Sequence, residues 1–187
     1  MSEWGLPQTL QIGRTEWDIH ADYRDVLEVI EWLENMDETP ESRLYIAMAL
    51  FYADFEQMPF SMRQEAAEKM LWFIAGGTEE TGPAGPKLLD WKQDRQIIAA
   101  DINKVAGCEV RALPFAHWWT FLGWFGCVGE GQLATVVSIR DKLRRGKKLQ
   151  DWERDYYMQN RAKVDLKRRY TAEEKAEQEK LKQMLGD

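Results

Sequence analysis

Two histidines, His20 and His117, and two cysteines, Cys108 and Cys127, are the side chains of this 187-residue chain best suited to hold a metal or to serve as base and nucleophile. Their spacing argues against both roles. Neither histidine has a second histidine or a cysteine at helical ligand spacing, and a zinc site needs three or four clustered donors. His117 is therefore read as a packed or hydrogen-bonded helix residue. Cys127 is read as a small buried hydrophobe, because reactive thiols sit in electropositive, partly exposed surroundings. Nothing marks an acid–base pair among the carboxylates; Glu79 and Glu80 lie in a Gly/Pro-rich stretch and read as solvated. That stretch, "GGTEETGPAGPK" (76–87), is no phosphate loop: Pro83 follows Gly82 where lysine is needed, and no Ser or Thr follows Lys87. No catalytic residue, metal or cofactor is assigned, and the chain is read as non-enzymatic.

The aromatics are the conspicuous feature. "LPFAHWWTFLGWF" (113–125) holds Phe115, Trp118, Trp119, Phe121, Trp124 and Phe125 around His117. It is too short and too interrupted for a membrane span, which needs about 20 apolar residues. As a helix it is apolar on nearly every side, so it reads as a central core helix. The sharper alternative is that part of this surface awaits an apolar partner.

The elements around it are mainly helical. "QTLQIGRTEWDIHADY" reads as a small hairpin, with Leu10 and Ile12 alternating before Gly13-Arg14 and Trp17 and Ile19 after it. Asp22 is a plausible N-cap for a helix carrying Tyr23, Val26, Leu27, Ile30 and Leu33. Pro40 breaks the pattern ahead of a helix with Leu44, Ala47, Met48, Phe51 and Phe55 on one side. Ser61 is expected to cap a third helix, with Met62, Ala66, Met70, Phe73 and Ile74, which Gly76-Gly77 ends. A fourth is expected from about Leu89 to Ala106. Pro114 is expected in the first turn of the aromatic helix. A sixth has Leu133, Val136, Val137 and Leu143 as its stripe. Leu149, Trp152, Tyr156, Leu166 and Tyr170 keep a rough heptad, interrupted at Gln159 and Lys163. "TAEE" reads as a capping box restarting a polar helix. The fold class is thus mainly α: a compact multi-helix domain over 1–170, with a small N-terminal β-hairpin and a connector at 76–88. A long, partly protruding C-terminal helix, polar over 171–187, completes it.

Charge is uneven along the chain. The net value is −7, but residues 1–100 carry 8 Lys and Arg against 19 Asp and Glu. Residues 140–170 carry 12 against 5. The basic segment with its interleaved tyrosines resembles a nucleic-acid surface. An acidic whole, pI about 5.1, opposes that reading and favours acidic protein or intramolecular carboxylates as partners. The unclustered cysteines point to a reducing compartment, and "MSEWGLPQTL" has neither the basic region nor the apolar run of a secretory signal.

"HWWTFLGWF" resembles the His-Trp-Trp helix of a family of small proteins from long-tailed phages, the gene-product-fifteen family. The order of elements is similar too: hairpin, "DYRDVLEV", "MLWFIAGG", connector, "LLDWKQDRQIIAADINKVAG", aromatic helix, then a basic tail with "ERDYY". The likeness spans roughly 10–170; the Gly/Pro-rich connector and the longer polar tail depart from it. The resemblance implies a tail assembly chaperone that keeps tape-measure protein soluble, with contacts to other tail proteins, in the host bacterial cytoplasm and absent from the mature virion. Oligomers are compatible with it, and no membrane is involved. On that reading the partner-binding residues are His117, Trp118, Trp119 and Trp124 for an apolar groove and Arg140, Arg144, Arg145, Lys147 and Lys148 for steering. The alternatives are a structural tail component and a nucleic-acid-binding helical protein.

Overall fold

A computed structural model of the chain describes residues 4–78, 85–167 and 170–185; the middle of the connector, with Glu79 and Glu80, lies outside the described residues. The protein is mainly helical with a two-stranded antiparallel hairpin at its N-terminal end, as the sequence predicts. Contacts divide it into two compact units, Met1–Glu79 with Arg168–Asp187, and Glu80–Lys167, where the sequence reading has one domain over 1–170.

In the first unit the strands β1 (Thr9–Ile12) and β2 (Thr15–Asp18) pair from Thr9 with Asp18 to Ile12 with Thr15. Gly13 has a φ of +58° at the first loop position, as a two-residue hairpin turn favours. A hairpin is marginal alone, and this one is held by helices. Gly13 N–H donates to Glu65, and Ile19 bridges to Tyr52. Helix α1 (Tyr23–Leu33) starts where Asp22 accepts from Arg24 N–H at 3.0 Å. Helix α2 (Pro40–Phe51) starts at the proline itself, with Thr39 accepting from Ser42 N–H. Pro40 thus opens the helix rather than only breaking a pattern, since its missing N–H is an orphan position anyway. Phe55 is buried but lies in a separate 3-10 turn, Phe55–Gln57, not on α2.

Helix α3 (Arg63–Ile74) follows another 3-10 turn, so Met62, not Ser61, stands at its cap and offers no side-chain bond. Gly76 and Gly77, with φ of 74° and 78°, end it. Leu10, Ile12, Val26, Val29, Phe51, Met70 and Phe73 form the buried centre. Tyr52 crosses it and donates to Ala66 O at 2.8 Å. Helix α8 (Ala172–Leu185) groups with this unit; its capping box is present, Thr171 N–H donating to Glu174 and Glu174 N–H to Thr171 Oγ1.

The second unit holds α4 (Arg95–Ala106), α5 (Trp118–Gly126), α6 (Gln132–Arg144) and α7 (Asp151–Val164). Helix α4 begins later than the sequence predicts. The Asp90 carboxylate accepts from Lys92 and Gln93 N–H, and Asp90 N–H donates to Asp94. These local bonds divert residues 90–94 from the helix, as Asp side chains tend to do. Trp91 therefore sits in the preceding turn. Gly107, φ 70°, closes α4. Pro114 also lies outside its helix: a 3-10 turn at Val110–Ala112 comes first and α5 starts only after His117. Helix α7 departs from helical geometry at Asn160, φ −123° and ψ 25°, beside the Gln159 that interrupts the heptad.

Candidate partner-binding surface

His117 caps α5. Its Nδ1 accepts from Trp119 N–H at 3.0 Å, so that nitrogen carries no proton, and the residue is 3 % exposed. The ring is used to fix where the aromatic helix starts. Trp118 is 1 % exposed and stacks on Phe121 at 5.7 Å. Trp91 meets this seam from outside the helix, 5.9 Å from Trp118 and 5.0 Å from Phe125. His117 and Trp118 thus face inward and present nothing to a partner, which corrects their place among the docking residues.

The helix is nonetheless not buried all round. Only Trp118 and Phe121 within it are buried; Trp119, Leu122, Trp124 and Phe125 are half-buried, and Phe115, just before it, is 49 % exposed. At about 100° per residue, Trp119 and Trp124 lie about 140° apart on opposite flanks of the buried seam. Between them on the outer side run Thr120, Gly123 and Cys127. A Cβ built at Gly123 would meet open space. Cys127 is exposed, as is Cys108, so Cys127 is not the buried hydrophobe expected; it belongs to this outer strip. Two tryptophans therefore wall a strip of small side chains.

The basic residues divide. Arg140 is buried and does not steer anything. Its guanidinium forms a two-point pair with Asp94, at 2.6 and 2.9 Å, and donates also to the carbonyls of Leu88, Lys163 and Val164. That is an interior clasp between α6, the segment before α4 and the end of α7. Arg144 and Arg145 are exposed and share Asp141, which they hold below the usual carboxylate range, the Arg144 hydrogen bond contributing most. Lys147 and Lys148 are exposed, and neither has an ion-pair partner among the described residues. Lys142 pairs with Glu153, which is 2 % exposed and also accepts from Gln150 N–H to cap α7. The Lys142 bond, then that backbone bond, pull the Glu153 pKa down.

Sequence reasoning missed four buried carboxylates, Asp90, Asp94, Asp101 and Glu153. Each is tied to a cation and lies at or just before a helix start or caps one: Asp90 pairs with Lys87 ahead of α4, and Asp101 accepts from Leu133 N–H at 2.9 Å and pairs with Lys104. Among the described residues no group of three or more His, Cys, Asp and Glu is placed to hold a metal ion. Among them, too, no helix is long and apolar enough to cross a membrane. Compared with protein-family models, with curated proteins and with solved structures, the chain matches none.

Proposed function

We propose that the chain is a non-enzymatic phage tail assembly chaperone that binds an amphipathic helix of tape-measure protein and keeps it soluble in the host cytoplasm until the tail closes around it. The observation that carries the reading is the outer strip of α5. Trp119 and Trp124 stand half-buried around Thr120, Gly123 and Cys127, a surface onto which the apolar face of a helix can lie. The resemblance of "HWWTFLGWF" and its flanking order to the gene-product-fifteen proteins supplies the identity of the occupant. Arg144, Arg145, Lys147 and Lys148 supply exposed positive charge, which acts mainly on association rate.

The test is co-expression with the tape-measure protein, followed by pull-down and a solubility assay. Soluble tape-measure protein is expected to rise with this chain present and to be recovered with it. Trp119→Ala and Trp124→Ala should each weaken the complex by about 2 kcal/mol or more, as truncated aromatic anchors do, while circular dichroism stays that of the wild type. Unchanged solubility and no recovered complex would replace the chaperone by a structural tail component, which mass spectrometry finds in purified particles in stoichiometric amount.

A further inference from the structure

The outward side of α2 in the first unit carries an open groove of 440 Å³ lined by Glu38, Glu41, Ser42, Tyr45 and Ile46. Glu38 and Glu41 are exposed, and neither has an ion-pair partner among the described residues. Tyr45 is 42 % exposed and donates to Glu56 Oε1 at 3.3 Å. Beyond it stands Phe60, 86 % exposed. The Arg63 guanidinium lies 4.7 Å from the Phe55 ring centre, 5.6 Å from Tyr45 and 5.9 Å from Phe60. Arg63 thus already fills the cation position over these rings. An incoming cation is left with the carboxylates, and an incoming apolar side chain with the ring edges.

The chain itself presents a surface of that description. The turn between α6 and α7 offers Arg144 and Arg145, which share one carboxylate, and Lys147 and Lys148, which have none among the described residues. Trp152, 56 % exposed, follows four residues after Lys148. We propose that the Glu38/Glu41/Tyr45 groove of one copy receives the Arg144–Lys148 turn of a second copy, with Trp152 against the exposed aromatics. Charge complementarity selects this occupant: the groove belongs to the acidic first hundred residues and the turn to the basic 140–170 segment. Because the two patches differ, a pair joined by one contact keeps one groove and one turn unfilled, and the contact propagates into a ring or an open chain. The inference does not rest on the chaperone reading. The two share the basic turn, so self-association and partner binding would compete for it.

Sedimentation velocity of the purified full-length chain tests this, at about 0.02 M and about 0.5 M salt, where screening differs severalfold. At low salt the mass should exceed one chain and rise with concentration; at high salt it should return to one chain. E38K/E41K and K147E/K148E should each remain single chains at low salt, with wild-type circular dichroism. Mixed in equal amounts, the first supplies an intact turn and the second an intact groove. The mixture should therefore associate at low salt, where neither variant does so alone. A wild type that stays single at low salt overturns the proposal. So does association that survives in either variant, or a mixture that forms no pair.

Discussion

Arg140 and Arg144 stand four residues apart on one helix and do opposite things. Arg144 is a surface charge half-neutralised by Asp141. Arg140 is enclosed, with a carboxylate and three backbone carbonyls accepting from its three nitrogens. Removing one partner of a buried pair leaves the other charge uncompensated, which costs about 3–5 kcal/mol. Arg140→Met should therefore destabilise the protein by that amount, read as a fall in the denaturant midpoint. Arg144→Glu should shift it by about 0.5 kcal/mol at most, in keeping with a surface site. Equal effects from the two substitutions would deny the clasp. His117 makes the same point at lower stakes: a ring that resembles a ligand in the sequence is occupied as a cap. Neither outcome is legible from residue type. A basic residue on a helix rich in cations gives no sign of burial until Asp94, 46 residues away, is known to face it.

Element order and type were largely legible, because hydrophobic period and end signals are local. The hairpin, the Asp22 cap, the glycine ends of α3 and α4 and the capping box of α8 all appear where residue patterns place them. What misled was competition at helix starts. Asp90 and Asp94 bond their own neighbourhood and delay α4, and His117 rather than Pro114 sets the start of α5. Of the candidate surface, the aromatic stretch and the exposed turn were legible; which tryptophans face outward was not, because that depends on Trp91 covering one side. Helix α6 shows the same long-range dependence. Its own cap, Gly131, has no side chain, and Asp101 on α4 takes the capping part by accepting from Leu133 N–H. A Cβ at Gly131 would stand 2.5 Å from Asp101 Oδ2 and 2.7 Å from its Cγ. Gly131→Ala must push that carboxylate off the helix start, and a loss of about 1–3 kcal/mol is expected from crowding and the broken cap. Urea unfolding measures it. A variant as stable as the wild type would mean that Asp101 moves without cost and that α6 does not need it.

For the whole molecule, stability is set between two groups of shifted protons. On the acid side, Glu153 and Asp141 titrate below their ordinary values of 4.5 and 3.8, because cations bond their charged forms. Glu109, bonded by Arg111, is pulled down to about 2. A carboxylate with a depressed folded pKa contributes stability that is complete above its unfolded pKa and lost as pH falls through the folded one. On the alkaline side, burial raises Tyr52 above its ordinary 10.0. Its contribution is complete below that value and lost as pH rises toward the folded one, since the unfolded chain ionises first. Melting temperature should therefore be flat between about pH 5 and about pH 9 and fall on both sides. Two substitutions separate the limbs. Glu153→Gln should be less stable at neutral pH, where Lys142 loses its partner, and should fall less steeply than the wild type below about pH 5. Tyr52→Phe should lose about 1 kcal/mol at neutral pH with the bond to Ala66 O, and should recover relative to the wild type above about pH 10, having no phenol to ionise. Melting curves recorded by circular dichroism across this range decide it. If the Glu153→Gln acid limb and the Tyr52→Phe alkaline limb both run parallel to the wild type, these two groups do not govern the pH response, and the remaining exposed carboxylates and lysines must carry it.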